Sequence, residues 1–352
     1  MRVLERLEEL YAIGGGPGAN RPHLSPAEDE AHRLVAAWLE DGGLDVAVDA
    51  DGNLFGHVHG SDPGTCPVWV GSHLDTVPQG GRFDGALGVV AAIEAVERAG
   101  VGAVVAFRGE EVGCIGSRAR VARGGLPRAF LELHVEQGPV LADRDSPLGV
   151  VTGIVGYARG ELVVEGRAGH AGTTPMVDRA DAVVAAATEM LRIRDAALAI
   201  PGGVATVGQL DVEPGGVNVI PSRVRMSVDV RAPDVERLNE LIREVGFEPT
   251  QRSEPVPLGG PARLALRAAI DAYGVDLVEL PSGAGHDAGV LAAAGVDAAM
   301  LFVRSLNDGV SHSRDELSSP EDIELAIEVV ADALWRLGDE APRSYTSLNE
   351  MS

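Results

Sequence analysis

The sequence predicts an α/β protein: a mixed, mostly parallel sheet with helices on both faces, interrupted by a smaller α+β domain. Three observations predict it. Short β-branched runs alternate with helical periodicity through the first 156 residues. From 157 to 257 the pattern changes to longer alternating strands and two helices. After that the strand–helix alternation resumes. The expected division is therefore 1–156 with 258–340 for the larger domain and 157–257 for an insert.

The elements follow in order. Ser25-Pro26-Ala27-Glu28 has the form of a capping box with proline at the first helical position. The helix it opens carries Ala31, Leu34, Val35, Trp38 and Leu39 on one face and ends near Gly42-Gly43. Strands fit 45–49 and 67–71, a helix fits 86–98, and strands fit 101–107 and 129–133. In the insert, 159–166 alternates like an antiparallel strand, 177–194 and 234–245 read as helices, and 203–212 and 223–231 read as strands. Then come a helix at 262–272, a strand at 276–280, a helix at 286–294, a strand at 298–303 and a last helix at 320–337, with a tail after 340 expected to fray.

Composition excludes several functions. The chain has 352 residues, enough for two domains, and a formal net charge of −24. Such a surface repels phosphate backbones, so nucleic acid is not an expected partner. There is no lysine; all 29 basic residues are arginine. That removes Schiff-base, pyridoxal-phosphate and P-loop lysines. Cys66 and Cys114 form neither a CxxC pair nor a disulfide framework, which points to a reducing, cytoplasmic setting. The charged N-terminus lacks the apolar core of a signal peptide, and no run is apolar for the length of a membrane span.

The chemistry sits at strand ends. His73 follows the apolar run Pro67-Val68-Trp69-Val70, Glu110-Glu111 follow the next strand, and His134 closes another. In open α/β sheets ligands bind beyond the carboxyl ends of the strands. Scattered imidazole and carboxylate donors are what an open metal site needs. Asp84 can bridge two divalent ions roughly 3.5–4 Å apart, with His73 and His134 on one and Glu111 and His312 on the other. Asp75 is placed to orient the His73 ring. Glu110 is placed to take a proton from water and deliver it to a leaving nitrogen. Taken singly, His73 is more often a satisfied buried histidine than a ligand, His134 and His312 could each cap a helix or pack, and the glutamate pair is usually a solvated surface pair; their recurrence at strand ends carries the expectation.

The motifs resemble those of the N-carbamoyl-L-amino acid hydrolase and allantoate amidohydrolase family, within the aminoacylase and carboxypeptidase-like group. They include Asp51-Gly52-Asn53-Leu54-Phe55-Gly56, Gly71-Ser72-His73-Leu74-Asp75-Thr76-Val77, Gly80-Gly81-Arg82-Phe83-Asp84-Gly85 and Leu131-Glu132-Leu133-His134-Val135-Glu136-Gln137-Gly138-Pro139. Further along are Gly169-His170-Ala171-Gly172-Thr173-Thr174-Pro175-Met176, Gly216-Val217-Asn218-Val219-Ile220-Pro221, Asp229-Val230-Arg231, Ser282-Gly283-Ala284-Gly285-His286-Asp287-Ala288 and Ser311-His312-Ser313. The resemblance implies two divalent ions per subunit (zinc or manganese, with cobalt or nickel also suited) held by His73, Asp84, Glu111, His134 and His312. It implies Glu110 as general base, and Gln137, His170, Asn218 and Arg231 as groups that hold a small carboxylate substrate. His170 would also stabilise the oxyanion, acting across a homodimer formed by the inserted lid domain. The implied reaction is hydrolysis of an N-carbamoyl-L-amino acid to amino acid, carbon dioxide and ammonia. The alternatives are an allantoate amidohydrolase, an N-acyl-amino acid deacylase, or a non-catalytic descendant that binds small carboxylates. One departure stands out: the stretch from Glu111 to the His134 motif is shorter than in that family, as is the end of the insert near 245–257.

Overall fold

A computed structural model describes residues 2–58 and 66–338; the tail expected to fray lies outside them. The chain divides into two compact units, Met1–Thr152 with Pro257–Ser352, and Gly153–Val256.

The first unit is built on a nine-stranded sheet. Its main run places Leu44–Val48, Leu54–Val58, Ala103–Phe107, Val68–His73, Ala129–Val135, Asp297–Val303 and Leu148–Ile154 side by side in that order. The four strands from Ala103–Phe107 to Asp297–Val303 run parallel. The flanking pairs are antiparallel. Val68–His73, Ala103–Phe107 and Ala129–Val135 are buried at every position, as strands covered on both faces must be. Alternate residues point opposite ways. Val68, Val70, Leu131 and Leu133 join a core with the helices Arg2–Ala12, Pro26–Asp41, Ala86–Ala99, Gly260–Ala272 and Pro320–Gly338. Trp69 and Phe130 face away from that core, with Trp69 against Phe55 and Phe130 against Phe107 in edge-on ring contacts.

The second unit is a five-stranded antiparallel sheet with two helices, Ala182–Ala199 and Val235–Val245. Its central strand, Arg223–Ala232, alternates buried and partly buried residues along its whole length. The buried set, Val228 and Val230 among it, packs with Ile193, Leu238, Leu241 and Phe247. That is the α+β character read from the alternation.

Several local expectations change. The box at Ser25 closes differently: Ser25 Oγ accepts the Glu28 N–H at 3.2 Å, but the Glu28 carboxylate takes the Leu24 N–H at 2.7 Å. Glu28 is buried and also faces Arg108 at 3.1 Å, which turns a cap into a tie to a neighbouring loop. The helix expected at 177–194 starts only at Ala182, because Asp181 caps the Val183 and Val184 N–H groups. The run at 203–212 is two strands, Val204–Thr206 and Leu210–Glu213. Leu54–Val58 and Leu148–Ile154 are strands that periodicity did not single out. A helix, Ile115–Arg123, occupies the abbreviated stretch after the paired glutamates.

Gly71 shows how tightly the parallel pair is drawn. A Cβ there would stand 1.8 Å from the Val105 carbonyl oxygen of its partner strand. Gly71→Ala is expected to cost about 1–3 kcal/mol, the usual range for forced overpacking. Urea unfolding should show the midpoint fall with little change in slope.

Candidate metal centre

The parallel strands deliver the candidate residues to one edge. His73 is the last residue of Val68–His73, Glu110 and Glu111 follow Ala103–Phe107, and His134 lies one residue from the end of Ala129–Val135. Asp84 arrives on the turn before Ala86–Ala99. Gly85, with φ of 63°, lets that turn close on the His73 ring: a Cβ would lie 2.4 Å from its Cε1. His312 sits in the loop between Asp297–Val303 and the last helix, with φ of 52°. Gln137 is also left-handed, at 59°. Two non-glycine residues in this region of φ/ψ space mark a place where surrounding contacts over-determine the backbone.

The side chains form two triads that share one carboxylate. His73, Asp84 and His134 offer ligand atoms all within 4.8 Å of one another, and so do Asp84, Glu111 and His312. Asp84 Oδ1 is 3.2 Å from His134 Nε2 and 3.6 Å from His73 Nε2. Asp84 Oδ2 is 3.3 Å from His312 Nε2, which is 3.5 Å from Glu111 Oε2. Each buried imidazole has its other nitrogen committed. His73 Nδ1 lies 3.0 Å from the Asp75 carbonyl, and His134 Nδ1 lies 2.9 Å from that of Val135. A ring whose Nδ1–H donates to a carbonyl presents a lone pair at Nε2. Both Nε2 atoms are buried and have no hydrogen-bond partner. Two lone pairs and a carboxylate aimed at one point fit a divalent cation.

Asp75 organises both sides of the cluster. Its carboxylate oxygens accept the Glu110 and Glu111 N–H groups at 3.0 and 3.2 Å, and Oδ1 stands 3.4 Å from His73 Nδ1. Glu110 Oε2 is 3.7 Å from His73 Nε2, and Cys114 Sγ is 3.8 Å from Glu110 Oε1. Gln137 Nε2 donates to Asp84 Oδ2 at 3.1 Å and to Ser311 Oγ at 3.0 Å.

The charges are strongly interdependent. Burial opposes ionisation of Asp84, but the His134, His312 and His73 imidazoles that face it outweigh burial and hold the carboxyl well below its usual range. Burial likewise opposes a charge on His73, yet Glu110, Asp75 and Asp84 together raise it well above an ordinary imidazole. His312, exposed on one side, is raised to about 9, chiefly by its hydrogen bond to Asp84. Burial pushes Glu110 well above the carboxylate range, with Asp287, Asp84 and Glu111 adding to the shift against His73.

Sequence reading overlooked several residues around the cluster. Glu316 is buried and accepts the Phe83 and Asp84 N–H groups at 2.7 and 3.0 Å. Glu132, buried on the strand two residues before His134, accepts from Ser72 Oγ at 2.8 Å and the Ala288 N–H at 2.9 Å. The motif left His286 and Asp287 without roles; His286 lies directly against His134. The His286 ring packs edge-on to His134 at 4.6 Å, and its Nε2 is 2.8 Å from Ser282 Oγ. Burial, then Glu132, raises Asp287 to about 8. A Glu between apolar residues at strand spacing from His134 was the one visible signal; Glu316 had none.

His170, Asn218 and Arg231 lie in the second unit. Gly169–His170 pairs with Val219–Ile220, and the Ala171 N–H donates to the Asn218 carbonyl at 3.0 Å, so the two loops are laced together. Both residues are exposed. Arg231 is half-buried and ion-paired along its strand with Asp229, Nε to Oδ1 at 2.9 Å.

Known proteins resemble the chain in both sequence and fold. Residues 69–336 match the model of peptidase family M20/M25/M40. The N-carbamoyl-L-amino acid amidohydrolase of Geobacillus stearothermophilus is 36% identical over 96% of this chain and 98% of its own length. Allantoate deiminase 1 of Glycine max is 31% identical over 89% of this chain and 84% of its own. Among solved structures, a hydantoinase/carbamoylase family amidase from Burkholderia ambifaria superposes with a TM-score of 0.88 at 30% identity, over 96% of this chain and 97% of that one. The alignment with the Geobacillus protein runs to 402 positions, longer than the 352 residues here, so that relative carries segments this chain lacks.

The raised imidazole has a consequence for stability without metal. A histidine whose pKa rises on folding contributes fully below its unfolded value, about 6.5, and that contribution is lost as pH climbs through the folded value. In chelator, the melting temperature should therefore decline from pH 6.5 to about 9. His312→Asn should flatten that decline; an unchanged slope would contradict the ion pair with Asp84.

Proposed function

We propose, from the premise that the chain belongs to the M20/M25/M40 peptidase family and is a hydrolase acting on amide bonds, that it cleaves the ureido bond of an N-carbamoyl-L-amino acid. The observation that carries the reading is the single carboxylate of Asp84 shared by two triads, with two orphaned imidazole nitrogens facing it. In this reading His73, Asp84 and His134 hold one divalent ion, and Asp84, Glu111 and His312 hold a second. Zinc or manganese fits these donors, and cobalt or nickel also suits them. When bound, such a pair supplies positive charge that acidifies water and polarises a carbonyl.

The protein's own groups do the rest. Glu110 takes the proton from the attacking water and returns it to the leaving nitrogen. A carboxyl that burial raises above the ordinary carboxylate range holds a proton more readily and can return it to the leaving nitrogen. Attack at the ureido carbonyl breaks the bond to the amino-acid nitrogen, releasing the amino acid and carbamic acid, which falls apart to carbon dioxide and ammonia. Gln137, already bonded to Asp84 and Ser311, is assigned to one end of the substrate. His170 and Asn218 are assigned to the carbonyl oxygen. Arg231 is assigned to the substrate carboxylate through paired hydrogen bonds, with Asp229 steadying its guanidinium.

The inserted unit is assigned to a homodimer. Val184, Leu191 and Leu198 follow a heptad spacing on Ala182–Ala199 and are 61, 54 and 77% exposed. An apolar stripe on an outer helix face favours a second copy over water. The acidic surface argues against nucleic acid, and no helix among the described residues is long and apolar enough to cross a membrane. The free thiols of Cys66 and Cys114 suit the reducing cytoplasm.

The second reading, an allantoate amidohydrolase, draws on the soybean relative. An N-acyl-amino acid deacylase on the same site differs only in the acyl group. A binding protein without catalysis has no need of Glu110 beside Glu111.

Three outcomes test this. Manganese-loaded protein should release ammonia from N-carbamoyl-L-amino acids and stop on chelation; release from allantoate alone would select the second reading. Glu110→Gln should lower kcat by about 10²-fold or more while metal stays bound; unchanged turnover removes Glu110 from the proton path. Light scattering should give twice the chain mass, and Leu191→Glu should halve it; a monomeric wild type would end the dimer assignment.

A further inference from the structure

The shared carboxylate is itself held by a closed ring of hydrogen bonds that none of the assigned roles explains. Glu316 Oε1 accepts the Phe83 N–H at 2.7 Å and the Asp84 N–H at 3.0 Å. Its Oε2 accepts the Ser311 hydroxyl at 3.0 Å. Ser311 Oγ in turn accepts from Gln137 Nε2 at 3.0 Å, and the same amide donates to Asp84 Oδ2 at 3.1 Å. The circuit therefore runs Glu316–Ser311–Gln137–Asp84 and back to Glu316 through the Asp84 backbone. It ties three stretches of chain that are remote in sequence: the Phe83-Asp84 turn, the end of the His134 strand, and the loop carrying His312.

Packing around Glu316 is specific to it. The residue is buried, 5% exposed. A Cβ on Gly81 would stand 2.2 Å from its carboxylate carbon, so the glycine vacates the space that the carboxylate fills. Its hydrogen-bond partners among the described residues are two backbone N–H groups and one hydroxyl. A buried carboxylate is costly to keep unless its hydrogen bonds are satisfied, and here they all point at the turn and loop that carry Asp84 and His312. Gln137 and His312, both left-handed, belong to the circuit or adjoin it.

We infer that Glu316 is a positioning residue for the metal centre: through this ring it fixes where Asp84 stands between the two triads and where the loop presents His312. The inference rests on the two-ion reading above. Glu316 touches neither ion in that reading. It sets the orientation of the group both ions share, and so couples the two subsites. Groups that orient metal ligands are typically worth 10–100-fold in metal affinity.

The test uses metal-stripped full-length protein titrated with manganese by calorimetry, with circular dichroism and melting temperature recorded for each variant. Wild type is expected to take two ions. Glu316→Gln keeps the volume but turns an acceptor toward Ser311 into a donor, which breaks the direction of the ring; it is expected to weaken binding of at least one ion by about tenfold or more. Leu334→Ala, buried on the last helix away from the centre, lowers stability without touching the ring and serves as the reference. If wild type fails to take two ions, the two-ion reading falls. If wild type takes two and Glu316→Gln binds no more weakly than Leu334→Ala, the positioning role of Glu316 is overturned and the two-ion reading stands. Should Glu316→Gln fail to fold, Ser311→Ala removes both bonds that its hydroxyl makes in the same ring and is judged by the same criterion.

Discussion

One buried carboxylate governs this molecule. Asp84 is 4% exposed and has three imidazole nitrogens within 3.6 Å, with Glu110 and Glu111 close behind them. Carboxylates crowded in a low-dielectric site repel one another, and each drives its neighbours to hold protons or cations. Without metal, protons on the histidines answer that demand, which is why His73 and His134 are raised despite complete burial. Divalent ions answer it better, since they satisfy several donors at once and release the imidazole protons.

The fold exists around this constraint in a literal way. Four parallel strands buried on both faces bring His73, the paired glutamates and His134 to one edge with no freedom to drift. The remaining donors come from turns, and turns need to be held. Gly85 closes against the His73 ring, Asp75 pins the backbone of both glutamates, and Glu316 joins the Asp84 turn to the His312 loop. The strained φ values of Gln137 and His312 are tolerated because these contacts leave them no alternative.

Much of this architecture is legible in the amino-acid sequence. Buried parallel strands announce themselves as continuous apolar runs, and histidines and carboxylates at their ends stand out against such runs. What stays hidden has physical reasons. Leu54–Val58 has Gly56 and His57 in place of β-branched residues and is held by pairing on both sides, while Gly56 itself makes room for the Leu39 methyls. The start of Ala182–Ala199 is set by one aspartate cap rather than by periodicity. Glu316 and Glu132 carry no local pattern, because their partners are brought to them only by closure of the fold. Arg231 reads equally as a substrate anchor and as a strand-face ion pair; the ion pair with Asp229 is formed, and the proposed anchoring role uses the same guanidinium.

The central claim is that Asp84 stands between two ions. The most direct measurement is anomalous diffraction at the manganese edge from crystals of the manganese-loaded protein. The account predicts two peaks flanking the Asp84 carboxylate, about 3.5–4 Å apart, one against His73 and His134 and one against Glu111 and His312. A single peak, or peaks that do not share Asp84, would contradict it.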